Sequence, residues 1–207
     1  MNALEHCFLY GFIDLTYVRP EEVPTVTQQL VRGGVDVLQL RAKQAAKEEI
    51  ARLATLILPI TRPASVPLII NDHPDLLQTV DAEGCHVGQD DYSVEEARRL
   101  AGRPVLVGKS THTLEQAMAA EKAGADYIGF GPIFGTRTKP GAEPVGLSGL
   151  KRLHDTVHIP IYCIGGINYD NMLRVTNAGA LRVAIVSDIL LAENRVDRTR
   201  ALKSDLG

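Results

Sequence analysis

Cysteine is scarce. The 207 residues hold three, Cys7, Cys85 and Cys163, each isolated. No disulfide framework and no CxxC zinc knuckle can be assembled from them. No stretch approaches the roughly 18 consecutive apolar residues of a membrane span. The opening Met1-Asn2-Ala3-Leu4-Glu5-His6 has no basic segment leading into an apolar one. An excess of one charge is also missing: 22 Lys and Arg against 25 Asp and Glu leave a formal net charge of −3. That gives no basic footprint for a nucleic acid backbone or an anionic membrane. Low-complexity linkers and composition shifts do not occur. A soluble cytoplasmic protein is expected, with neither nucleic acid nor membrane as partner. One domain is expected over 1–207, with 195–207 a terminal helix or a frayed tail.

What the chain has is a 45% hydrophobic content, enough for a folded core, and it is arranged periodically. Apolar runs of strand length occupy 8–13, 35–40, 67–70, 85–87, 105–108, 127–130, 161–164 and 183–186. Runs that are continuous rather than alternating indicate strands buried on both faces, as in a parallel sheet covered by helices. Helix starts lie between them. Pro20-Glu21-Glu22-Val23 puts proline and acids in a first turn, Ser93-Val94-Glu95-Glu96 and Thr113-Leu114-Glu115-Gln116 read as capping boxes, and Asn168 or Asp170 caps another helix. Gly124 and Gly179 stand where helices end. Strand and helix alternate eight times in near-equal units, which favours a closed (β/α)8 TIM barrel over an open doubly wound sheet.

In such a barrel the active site forms where the strands end, so the residues after each run are the informative ones. They are Gln39-Leu40-Arg41-Ala42-Lys43, Asn71-Asp72, Gln89-Asp90-Asp91, Lys109-Ser110-Thr111-His112, Gly165-Gly166-Ile167-Asn168 and Ser187-Asp188; the sixth run leads into a loop containing Thr136, Thr138 and Lys139. One rim therefore gathers Arg41, Lys43 and Lys139 beside Asp72 and Asp91. That is the composition of a Mg²⁺–polyphosphate site, in which carboxylates hold a hard cation and Arg and Lys neutralise the phosphate oxygens. Gly165-Gly166 and Val186-Ser187 suit a second phosphate cradle built from backbone amides. His86, His112, His154 and His158 show no paired spacing with Cys or Glu and read as core or surface residues.

The ordered set Leu9-Tyr10, Gln39-Leu40-Arg41-Ala42-Lys43, Asn71-Asp72, His86-Val87-Gly88-Gln89-Asp90-Asp91, Ser110-Thr111-His112-Thr113, Gly124-Ala125-Asp126-Tyr127-Ile128-Gly129-Phe130-Gly131-Pro132, Thr136-Arg137-Thr138-Lys139, Ile164-Gly165-Gly166-Ile167 and Val186-Ser187 resembles the thiamine-phosphate synthase family. The resemblance spans nearly the whole chain. It implies a transferase that joins a hydroxymethylpyrimidine diphosphate to a thiazole phosphate by a dissociative route, releasing pyrophosphate. By it, Asp72 and Asp91 hold Mg²⁺, while Arg41, Lys43, Asn71 and Lys139 contact the diphosphate. Gln39 and Ser110 face the aminopyrimidine, and Thr136, Thr138, Gly166, Val186 and Ser187 hold the thiazole phosphate. Arg41, Lys43, Lys139 and Ser110 are the expected catalytic residues. The implied partners are these small molecules, and a homodimer is left open. The chain departs from the family at His73-Pro74 and Leu181-Arg182. Thiazole tautomerases share the fold but resemble one another in a histidine where this chain has Pro132. A non-catalytic sensor of thiamine precursors would use the same ligands, but a sensor of the thiazole phosphate alone has no use for Asp72, Asp91 and Lys43.

Overall fold

Eight parallel strands pair in chain order and close on themselves: β1 (Leu9–Asp14), β2 (Val37–Arg41), β3 (Leu68–Asn71), β4 (Gly84–Val87), β5 (Leu106–Thr111), β6 (Tyr127–Phe130), β7 (Ile161–Ile164) and β8 (Arg182–Ala184), with β8 returning to β1 through Leu9↔Val183 and Tyr10↔Ala184. The computed structural model describes residues 4–136 and 143–206. Each of the eight apolar runs contributes a strand, with ends shifted by a few residues.

The continuous apolar runs follow from a fold with two cores. Side chains alternate across a strand. Leu9 and Ile13 of β1, Leu38 and Leu40 of β2 and Leu68 and Ile70 of β3 face outward and pack beneath the helices. Their neighbours Tyr10, Phe12, Val37 and Ile69 join Tyr127, Tyr162 and Ala184 inside the barrel, where Leu4 from the N-terminal turn joins them. With helices over the outer face and side chains filling the lower part of the inner one, the strands read as apolar except toward their C-terminal ends.

The outer ring consists of α1 (Val23–Gly33), α2 (Lys47–Thr61), α3 (Val94–Ala101), α4 (Leu114–Lys122), α5 (Leu150–Thr156), α6 (Tyr169–Asn177), α7 (Ser187–Leu190) and α8 (Arg195–Ser204). Ser93 and Glu96 form the expected reciprocal cap of α3, and Asn168 caps α6 through the Asn171 N–H. At α4 only half of the expected box forms. Thr113 accepts from the Gln116 N–H, but the Gln116 side chain accepts from the His112 N–H instead of closing on Thr113. The strand-helix alternation also fails once. Between β3 and β4 stands a 3-10 turn, Pro74–Gln78, because the connection is short and Pro74 opens it without an N–H to give. The stretch from Arg195 is α8, whose Leu202 is fully buried and whose Thr199 fits against Gly33, where a Cβ would come within 2.4 Å.

Candidate active site

The polar residues after the strands become a site because they continue the inward register. Gln39 and Arg41 follow Val37 at alternate positions of β2, Asn71 follows Ile69 in β3, and Ser110 follows Gly108 in β5. Each therefore enters the space above the tyrosine layer. The result is a pocket of about 320 Å³ at the C-terminal ends of the strands, within the size range of small-molecule sites. It brings together Gln39, Arg41, Lys43, Asn71, Asp72, Asp91, Ser110, Thr136, Gly166, Val186 and Ser187. Thr138 and Lys139 lie outside the described residues.

One side of the pocket is a charged corner. Lys43 Nζ lies 3.5 Å from Asp72 Oδ2. Burial raises the Asp72 carboxyl above its ordinary range; Lys43 opposes that shift, and the neighbouring Asp91 carboxylate adds to it. Asp72, the residue after β3, lies in the left-handed region at φ +61° while its N–H still donates to the His86 carbonyl of β4. Asp91 is fixed from its own loop, accepting the Gly88 N–H at 2.7 Å. Lys109 braces the same loop by donating to the carbonyls of Gly88 and Tyr92, and burial lowers its pKa. Arg41 is held by buried Asp14, Nη1 to Oδ2 2.6 Å.

The floor is a hydrogen-bonded chain. Gln39 Nε2 donates to the Tyr10 hydroxyl at 2.9 Å, and the Tyr10 and Tyr127 hydroxyls are 3.0 Å apart. His86 Nδ1 lies 3.3 Å from the Tyr127 hydroxyl, and its Nε2 lies 2.9 Å from Ser110 Oγ. Burial holds the His86 pKa down at about 4. The far side is backbone. Gly165 and Gly166 have φ +97° and +66°, and a Cβ on Gly166 would come within 2.6 Å of the Gly135 carbonyl. Val186 and Ser187 lead into α7 beside them. The glycines' missing Cβ atoms let the backbone here come close both to its neighbours and to the pocket.

The reading of the histidines as core or surface residues is corrected: His86 and His112 both line the pocket. His86 sits at the inward position of β4, where its partners are a tyrosine and a serine from other strands. Asp14 and Tyr162 also stand at the site, and so do Tyr10 and Tyr127, which the sequence offers only as parts of the family motifs. Their signal was parity with the inward positions, hidden inside runs that look merely apolar.

A family model described as thiamine monophosphate synthase matches residues 9–189. The chain is 43% identical over 197 residues to the thiamine-phosphate synthase of Chloroflexus aurantiacus, covering 95% of this chain and 91% of that one. Against the thiamine-phosphate synthase of Halalkalibacterium halodurans it is 40% identical over 187 residues, covering 90% and 89%. The solved thiamine phosphate pyrophosphorylase from Pyrococcus furiosus superposes with a TM-score of 0.88 at 32% identity, covering 99% of this chain and 96% of that one. A pocket of this make-up on a closed barrel, matched along almost its full length, places the chain in the thiamine-phosphate synthase family, and it is a transferase of that family.

Proposed function

We propose that the pocket condenses 4-amino-2-methyl-5-hydroxymethylpyrimidine diphosphate with 4-methyl-5-(2-phosphoethyl)thiazole, giving thiamine monophosphate and pyrophosphate in the cytoplasm. The observation that carries this reading is the charged corner, with Asp72 beside Asp91 and Lys43 within 3.5 Å of Asp72. Two carboxylates that repel one another, one of them beside a lysine, suit a small hard metal that takes one or two protein oxygens and fills its shell from phosphate and water. Among the described residues no group of three or more His, Cys, Asp or Glu is placed to hold a metal by itself, which fits a metal that arrives with the diphosphate. Asp72 and Asp91 would hold Mg²⁺. When bound, Mg²⁺ neutralises charge on the departing pyrophosphate.

The chain's own groups do the rest. Arg41 and Lys43, with Lys139 from the loop after β6, take up the leaving group's charge as the methylene carbon–oxygen bond breaks and its electron pair departs with pyrophosphate. Asp14, a buried carboxylate 2.6 Å from Nη1, fixes the Arg41 guanidinium in the pocket wall and offsets part of its charge. The thiazole nitrogen then forms the new carbon–nitrogen bond to the pyrimidine-methyl cation, and no protein nucleophile is needed. Gln39 and Ser110 orient the pyrimidine, Asn71 contacts the diphosphate, and Thr136, Thr138, Gly166, Val186 and Ser187 hold the thiazole phosphate so that the two rings are within attack range. The test is to mix purified protein, Mg²⁺ and both substrates. Stoichiometric pyrophosphate and thiamine monophosphate are expected; pyrophosphate without thiamine monophosphate would mean simple hydrolysis.

A further inference from the structure

Gln39 and Ser110 lie on β2 and β5, strands separated by two others around the barrel, yet three side chains join them. The order is Gln39, Tyr10, Tyr127, His86, Ser110, with successive separations of 2.9, 3.0, 3.3 and 2.9 Å. Tyr10 and Tyr127 are 2% and 1% exposed, so their hydroxyls find their partners in one another and in Gln39 and His86. Each hydroxyl has one hydrogen to give. A side-chain amide nitrogen can only donate, so Gln39 Nε2 gives to Tyr10, and the Tyr10 hydrogen then goes to Tyr127. The Tyr127 hydrogen goes on to His86 Nδ1, which leaves the ring proton on Nε2, facing Ser110 Oγ. Ser110 is left with a hydrogen to donate into the pocket, and Gln39 is left with Oε1 to accept from it. A mixed arrangement strands a buried hydroxyl hydrogen, which is costly. The bonds therefore run in one direction together.

We propose that this one-way relay couples the two walls of the pocket, fixing Gln39 as acceptor and Ser110 as donor, and that Tyr10, Tyr127 and His86 are positioning residues that set specificity for an amino-substituted pyrimidine over its oxo counterpart. The inference rests on the aminopyrimidine reading above. An exocyclic amine offers N–H to Gln39 Oε1, and a ring nitrogen accepts from Ser110. The 4-oxo compound puts a carbonyl against Oε1. Turning the Gln39 amide to suit it requires every bond of the relay to reverse and takes the Ser110 hydrogen away from the ligand. Local packing leaves the rings little freedom, since a Cβ at Gly108 would fall 2.1 Å from Tyr127 Cζ and 2.5 Å from His86 Nδ1.

Two measurements test this. In ligand-free protein labelled with ¹⁵N-histidine, long-range ¹H–¹⁵N spectra, assigned with His86→Gln, are expected to show a neutral His86 ring protonated at Nε2. A proton on Nδ1 overturns the relay's direction. Calorimetry then compares binding of the 4-amino pyrimidine diphosphate and its 4-oxo analogue, with Mg²⁺, to wild type and to Tyr127→Phe. Cutting the relay should reduce the preference for the amino compound by about tenfold or more, whereas a merely structural defect weakens both ligands alike and leaves the ratio unchanged, which overturns the proposal. Should Tyr127→Phe fold poorly, Tyr10→Phe cuts the same relay at another link. Wild-type protein that binds neither compound overturns the aminopyrimidine reading and the selection with it, and the histidine spectrum distinguishes that failure from a wrong relay.

Discussion

Asp72 combines two unfavourable features: a left-handed backbone, uncommon for a residue with a side chain, and a carboxylate that burial and Asp91 both disfavour. A strained, charge-repelled residue at a strand end is expected where ligand binding supplies the compensation. Its raised pKa means that the folded protein is penalised for carrying the charge at any pH above the ordinary carboxylate range. Asp72→Asn should therefore melt higher than wild type at pH 7 when metal is withheld, with the gap closing as the pH falls toward about 4, because the folded carboxyl takes up its proton above its ordinary range. The same variant should lose about 10²-fold or more in kcat/KM. Equal melting temperatures at pH 7 would place the carboxylate in solvent. His86 has the opposite sign of titration. Its folded pKa lies near 4 against an unfolded value of 6.5, so the unfolded chain binds the proton first and stability falls as the pH drops from about 6.5 toward 4. The full span corresponds to about 3 kcal/mol, readable as a difference between wild type and His86→Gln in urea titrations at pH 7 and pH 4.5.

The stretch from 195, expected as a terminal helix or a frayed tail, is the helix α8: Leu202 is fully buried and the helix packs on α1 through Thr199 and Gly33. Leu202→Ala should cost about 2–4 kcal/mol in denaturant unfolding; a loss within error of zero would mean that the helix is peripheral. In the sequence the strands were legible because a barrel buries both faces of each one, so the runs are apolar throughout. The same property hid the floor of the site. Tyr10, Tyr127 and His86 sit inside those runs, and only the closed register shows that they share one interior with Gln39 and Ser110. Asp14 was hidden similarly, because its role depends on Arg41 lying across from it in the β1–β2 ladder. The 3-10 turn at Pro74–Gln78 replaced an expected helix because regular alternation elsewhere hid how few residues join β3 to β4.

For the molecule as a whole, the charged corner makes stability a function of ligand. Anything that binds the folded barrel and not the unfolded chain stabilises it by mass action. Asp72 and Asp91 come from the segments that follow adjacent strands, β3 and β4, so a ligand that relieves their repulsion ties together neighbouring parts of the rim. Mg²⁺ alone meets two carboxylates and a competing lysine, and pyrophosphate alone meets cations but also those carboxylates. Each should therefore shift the melting temperature little. Together, at a hundredfold excess over Kd, they should add about 2.7 kcal/mol, or roughly 5–10 °C for a chain of this length. In Asp72→Asn the joint shift should shrink toward the effect of pyrophosphate alone, even though that variant starts from a higher melting temperature. Thermal scans of both proteins with each ligand singly and combined check this. A joint shift of equal size in the two proteins would show that the metal and the diphosphate meet the barrel somewhere other than Asp72.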